Sequence, residues 1–310
     1  NKDSLGQIAN YKNLILLHVV VLIFGFTGIL GKLISVPSDS LVWYRMLIAS
    51  FAVAVYLLLR KKSFIMNKKG VFKTLFTGFI IAAHWIFFFE AIKQSNVSIT
   101  LAALATSSLF TSLLEPLFFK RKIHLYELFL GLLVLLGLYF IFQFETDVSW
   151  GLILGIIAAF LASLFTVLNG LLIKQYDSGR ISLYELFGGF IGITIYFFIK
   201  DPSLLPDFQL SSSDAFYLLI LGIICTAFAF VASVKVMEEL TPFTVSLSIN
   251  LEPVYGIVLA VLIFGESEKM SLGFYSGTGI ILLALFLNVI IKKRLRKKGR
   301  IFWKSASKAL

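Results

Sequence analysis

Arg45, His84, Glu90, Glu185, Lys235 and Glu252 each stand inside an apolar run long enough to cross a bilayer. A charged side chain at the centre of a membrane helix costs about 2.5–3.5 kcal/mol on insertion scales, so each needs a partner or a task. Glu252-Pro253 is the sharpest candidate. A proline within a helix removes a backbone hydrogen bond and frees a carbonyl. A carboxylate beside that carbonyl suits a substrate ammonium or a proton. The alternative is a kink whose glutamate bonds to a neighbouring helix. His84-Trp85 sets a group that titrates near neutral pH beside a ring that can stack on a substrate ring or an organic cation. Its alternative is a packed aromatic helix with His84 bonded to a backbone carbonyl. Ser107, Ser108, Asn169, Asn250 and Tyr255 can line a polar cavity. Hydroxyls in membrane helices also bond their own backbone, so each of these has a packing alternative.

Other chemistries have little support. The chain has one cysteine, Cys225, and three histidines, with no H-E-x-x-H, no G-x-S-x-G and no Cys/His cluster. Metal-dependent or nucleophilic catalysis is therefore not expected, and neither is a cofactor. Gly25 to Lys32 mimics a phosphate loop, but it lacks the G-x-x-x-x-G-K-[ST] spacing and lies inside an apolar run.

The elements that must position these residues are helices in lipid. Hydrophobic residues make up 58% of the 310, too many for a surface facing water. A membrane helix needs about 20 apolar residues. Runs of that order lie near 13–34, 40–59, 72–92, 96–119, 124–142, 149–173, 181–199, 214–237, 242–264 and 271–291. The expected class is an all-α polytopic membrane protein with ten transmembrane helices. The net charge of +11 sits in alternate connections. Lys61, Lys62, Lys68 and Lys69 follow the second run, Lys120 and Arg121 the fourth, Lys174 and Arg180 the sixth, and Lys298 and Arg300 belong to the tail. The other connections carry Glu145, Asp147, Asp201, Asp207, Asp214, Glu266 and Glu268. The positive-inside rule then puts both termini in the cytoplasm. The basic clusters flank spans, so nucleic acid is not an expected partner. The expected partners are the bilayer and a small molecule, in a monomer or homodimer.

The two halves of the chain align. Phe26-Thr27 matches Phe165-Thr166 and Tyr44-Arg45 matches Tyr184-Glu185, while Leu75 and Gly78 match Leu219 and Gly222. Five spans per half, with both termini on one side, force the copies into opposite orientations. The expected organisation is a first five-helix repeat over 1–145, an inverted second repeat over 146–295 and a basic cytoplasmic tail over 296–310. The alignment also pairs Arg45 with Glu185 and Glu90 with Lys235, swapping the charges between halves. Similar depths predict two ion pairs, Arg45–Glu90 near the outer mouth and Glu185–Lys235 near the inner mouth. These serve as gates or as static staples.

Gly25-Phe26, Tyr44-Arg45-Met46-Leu47, Asn250-Leu251-Glu252-Pro253 and Phe264-Gly265-Glu266 resemble the ten-span EamA-type branch of the drug/metabolite transporter superfamily. The first half departs from that pattern at Phe119-Lys120-Arg121, where Gly-Glu is expected. The resemblance implies export or exchange of amino acids, nucleosides, sugar phosphates or related metabolites across a bacterial-type inner membrane. Glu252 and the aromatic residues lean towards zwitterions or cations; phosphorylated metabolites or nucleotide sugars are the alternative cargo. The rival from another class is a non-transporting receptor or scaffold, which needs no midplane cavity.

Overall fold

The computed structural model describes residues 2–120, 125–144, 149–207, 209–249 and 251–297. Arg121, Lys122, Glu145, Asp147, Asn250, Lys298 and Arg300 lie outside the described residues. Every regular element among the described residues is helical: α1 (Lys2–Leu33), α2 (Ser38–Leu59), α3 (Lys68–Gln94), α4 (Val97–Leu104), α5 (Ser107–Phe119), α6 (Leu125–Phe144), α7 (Ser149–Leu172) and α8 (Ser178–Lys200) come first. Then follow α9 (Ser212–Gly222), a π-helical segment (Ile223–Phe228), α10 (Ala229–Lys235), α11 (Pro242–Ile249), α12 (Glu252–Phe264) and α13 (Leu272–Lys297), with short 3₁₀ turns between some of them. Among the described residues, seven helical stretches are long and apolar enough to cross a membrane, and shorter apolar stretches lie at 129–141 and 272–288. Large side chains such as Phe51, Leu59, Phe72, Leu117, Leu132 and Leu262 point outward. That apolar exterior fits lipid and not water.

The starts of the helices follow local chemistry. Asn67 caps α3 by accepting from Gly70 N at 2.7 Å, and Asn96 caps α4 by accepting from Ile99 N at 2.8 Å. Asp177 caps α8 and Ser211 caps α9 in the same way.

Two runs that read as continuous in the sequence are broken. One breaks between α4 and α5, where the Thr106 N–H and hydroxyl both bond to Ala103 O. A side chain competing for a backbone carbonyl is a recurrent way to interrupt a helix. The next helix then begins at Ser107, whose carbonyl accepts from the Ser163 hydroxyl of α7 at 2.6 Å. The other lies between α11 and α12. Pro253 stands in the first turn of α12, where its missing N–H costs nothing. The kink expected at Glu252-Pro253 is therefore a helix start.

Each face of the bundle has its own fastening. At the basic face, Lys62 pairs with Asp177 at 2.7 Å, Tyr176 Oη donates to Asn67 Oδ1 at 2.9 Å, and Arg180 donates to Ile65 O at 2.8 Å. Partial burial raises the Asp177 carboxyl, but the hydrogen bond and charge of Lys62, the Gly179 N–H and Arg180 outweigh it and hold the group below its ordinary value. At the opposite face, Glu268 is fully buried and accepts from Val97 N (3.1 Å), Ser98 N (2.9 Å), Ser98 Oγ (2.7 Å) and Lys32 Nζ (2.8 Å). One carboxylate thus joins the ends of α1, α4 and α12. Asp214 accepts from both the N–H and the hydroxyl of Ser35 nearby.

The packing of α3 on α8 brings two backbones together. A Cβ on Gly78 would lie 2.1 Å from the Glu185 carbonyl oxygen, and one on Gly188 would lie 2.8 Å from Leu75 Cα. The small residues are there because the backbones touch. Overpacking of this kind typically costs about 1–3 kcal/mol. Gly78→Ala should lower the melting temperature of the detergent-purified protein. Gly279→Ala, where the added methyl meets open space, should leave it unchanged.

Candidate functional site

A cavity of about 780 Å³, its open mouth included, lies at the centre of the bundle. It runs from Thr27 and Arg45, toward the face held by Glu268, to Asn169 and Met237 near the basic-face ends of α7 and α10. Its aromatic lining comes from Phe24, Trp85, Phe88, Phe165 and Phe230. The polar lining comes from Thr27, Arg45, His84, Ser107, Thr166, Asn169, Ser233 and Glu252.

Arg45 is 1% exposed and is held in three ways. Its guanidinium carbon sits 3.8 Å from the centre of the Trp85 ring and 5.5 Å from that of Phe89. Stacking of this type favours the planar cation. Its Nε donates to Thr226 Oγ1 at 2.6 Å. Thr226 lies in the π-helical segment, and its own hydroxyl donates to Leu221 O, five residues back, at 2.6 Å. The widened turn therefore presents Thr226 as an acceptor to α2, consistent with the tendency of such turns to mark functional sites. Nη1 of Arg45 is buried and has no acceptor among the described residues.

Glu252 is 4% exposed, in the first turn of α12. The N–H ends of a helix favour negative charge there. No hydrogen bond reaches its carboxylate among the described residues, and no Arg45 nitrogen lies within the 4.0 Å of an ion pair. His84 Nδ1 is 2.8 Å from Ala158 O. A carbonyl can only accept, so this nitrogen carries the proton and Nε2 is the ring's acceptor. Asn169, with its amide nitrogen turned toward α8, donates to Glu185 Oε1 at 2.6 Å. Glu185 is fully buried behind the cavity wall. A basin with one cation, one carboxylate and aromatic walls can hold a small polar molecule by its charged ends and cover the rest of it.

The EamA-like transporter family model matches residues 12–143 and 149–290. The chain belongs to that family. The uncharacterized transporter YxxF of Bacillus subtilis (strain 168) is 23% identical over 280 residues, covering 89% of this chain and 88% of the relative. The uncharacterized transporter YdfC of the same organism is 24% identical over 247 residues, covering 78% and 79%. A solved crystal structure superposes with a TM-score of 0.69 at 14% identity, covering 92% of this chain and 99% of that one, which shows a shared fold alone. The family is one of membrane-embedded transporters and gives no indication of catalysis.

Within this EamA-family chain, His84, Trp85, Ser107, Asn169 and Glu252 share the cavity. Ser108 does not. It lines a separate small cavity with Ser112, Leu130 and Asn288. Tyr255 is 39% exposed with its Cβ beside Gly25, outside the cavity wall. Asn250 lies outside the described residues.

Both expected ion pairs are absent. Arg45 turns to Thr226 and Trp85, while Glu90 accepts from Ser38 Oγ at 2.8 Å and Gln94 Nε2 at 2.7 Å. Lys235 is exposed, whereas Glu185 is buried against Asn169. Equal depth along the bundle does not make two side chains face each other, because each helix is also rotated about its own axis. Arg45 is thus a cavity residue and not a partner of Glu90. Thr27, Thr166 and Ser233 escaped the sequence reading. The first two had a usable signal, since Phe26-Thr27 aligns with Phe165-Thr166.

Thr226→Val removes the acceptor of Arg45 Nε. A hydrogen bond to a charged group contributes about 1.5–3 kcal/mol. The variant should melt at a distinctly lower temperature, while Thr226→Ser, which keeps the hydroxyl, should melt close to the parent protein.

Proposed function

We propose that this protein is a secondary transporter that moves a small polar metabolite, an amino acid or a related compound, by alternating access. The observation that carries the reading is Glu252. A member of a transporter family places a carboxylate without a partner among the described residues on a central cavity with aromatic walls. A substrate ammonium supplies the partner it lacks. His84, Trp85, Ser107 and Asn169 complete the binding surface, and export or exchange is the direction of flow.

The architecture of this proposal is ten transmembrane helices in two inverted five-helix repeats, over 1–145 and 146–295. Several observations support it. The family model matches two blocks of similar length. The interrupted stretches α4–α5 and α11–α12 restart at Ser107 and Glu252, which stand at the same offset as the aligned Glu90 and Lys235. Both restarts lie on the cavity, as expected of discontinuous helices that build a midplane site. The basic face is the cytoplasmic one in an inner membrane. The cavity reaches toward that face while Glu268 fastens the other, so the conformation corresponds to the inward-facing state of the cycle.

The test is counterflow in proteoliposomes against a library of amino acids, amines and phosphorylated metabolites. The parent protein should exchange at least one zwitterion, and Glu252→Gln should reduce that exchange by about tenfold or more at normal expression. Exchange that is unaffected by Glu252→Gln would remove the carboxylate from the mechanism. No exchange of any compound would favour a receptor or scaffold instead.

A further inference from the structure

Arg45 brings a permanent positive charge to the cavity, and the protein leaves that charge incompletely matched. Its Nε is committed to Thr226, its flat face to Trp85 and, further off, Phe89, and its Nη1 to no acceptor among the described residues. Glu252 is the natural counter-ion on the same cavity, yet the two stay beyond ion-pair distance. A buried guanidinium with an orphaned donor is expensive. Simple packing is a poor explanation, since a Leu or Met would fill the space without that cost. The rigid mounting argues in the same direction. A fork fixed at Nε and stacked on a ring has its remaining edge pre-positioned, which is how arginine recognises planar anions.

We infer that Arg45 is the anion-reading residue of this cavity, and that the transported molecule presents a carboxylate to it. The inference rests on the transport reading above and narrows its substrate class. The carboxylate meets the edge of the guanidinium that Thr226 leaves free, the cationic end of the molecule turns to Glu252, and the apolar remainder lies against Phe88, Phe165 and Phe230. Charge balance favours a carboxylate over a phosphate. One arginine beside one glutamate matches a molecule carrying one negative and one positive group. A phosphate dianion would bring surplus negative charge toward Glu252 with no second cation in reach among the described lining residues.

The test measures binding to the purified protein by isothermal calorimetry and thermal shift, independently of transport. The probes are L-phenylalanine and L-leucine, their decarboxylated counterparts phenethylamine and isopentylamine, 3-phenylpropionate, and inorganic phosphate. The expected result is binding of at least one amino acid at millimolar concentration or better, with the matching amine at least about tenfold weaker. Arg45→Gln should erase that preference by weakening the amino acid and not the amine. Arg45→Lys, which keeps a charge without the planar fork, should give an intermediate affinity. Melting of each variant without probe separates a folding defect from lost recognition.

Four outcomes overturn the inference: no carboxylate binds, the amine binds as well as the amino acid, phosphate displaces the carboxylate, or folded Arg45→Gln keeps its preference for the carboxylate. Its failure is distinguishable from failure of the transport reading. Carboxylate binding without counterflow would leave Arg45 assigned and transport in doubt. Counterflow of amines alone would leave transport standing and remove the role of Arg45.

Discussion

Everything at the centre of this bundle depends on how an apolar interior tolerates charge. Glu268, Glu185, Arg45 and Glu252 are all almost wholly buried, and each meets a different compensation. Glu268 receives two backbone N–H groups, a hydroxyl and a lysine. Glu185 receives an amide. Arg45 receives a hydroxyl and an aromatic face, and Glu252 receives only the start of a helix. The order is also a gradient of incompleteness. The group with the fullest partnership fastens a face of the bundle, and the two with the least line the cavity. Complete compensation suits a fixed joint. Partial compensation leaves free energy for a ligand to supply.

The backbone irregularities serve the same constraint. A continuous α-helix keeps its N–H groups to itself, so it has nothing to offer a carboxylate at mid-depth. Breaking the run at Glu252 exposes a helix start there, and the earlier run restarts at Ser107, whose carbonyl accepts from the Ser163 hydroxyl. The π turn at Ile223–Phe228 does the complementary work for a cation by rotating Thr226 toward α2. Each irregularity sits where a polar side chain on the cavity would otherwise face a regular, self-satisfied helix. That is where interrupted backbone is tolerated in lipid-embedded folds.

What the sequence disclosed and what it hid divide along a physical line. Apolar runs, basic connections and the small residues between helices follow from transfer energies and spacing, which a single sequence carries. Depth along the membrane also follows, so His84, Ser107 and Glu252 could be grouped before any coordinates. Rotation about the helix axis does not follow, because a membrane helix is apolar on both its lipid face and its packed face. Ser107 and Ser108 differ by one residue and about 100°, and they reach different cavities. Arg45 and Glu90 share a level and look in different directions. Pro253 reads equally as a kink or as a helix start, and only the backbone on its N-terminal side decides.

The two faces of the bundle differ in a way that bears on a transport cycle. At the basic face the contacts are between connecting segments and partly exposed: Lys62 with Asp177, Tyr176 with Asn67, Arg180 with a backbone carbonyl. Exposed pairs of this sort contribute about 0.2–1 kcal/mol each and exchange readily with water. At the opposite face a buried carboxylate holds several donors at once, and separating α4 from α12 there would strip it of most of them together. Water entering the opened mouth can replace those donors, so the barrier is high only while the joint is dry. A ligand that draws Arg45 and Glu252 toward each other would pull on α12 beneath that joint, since Glu252 begins the helix whose far end leads into Glu268. The incomplete charges of the cavity and the complete charge of the joint are therefore joined by one helix. In the proposed cycle, that helix is the mechanical connection through which occupancy at the centre reaches the closed face.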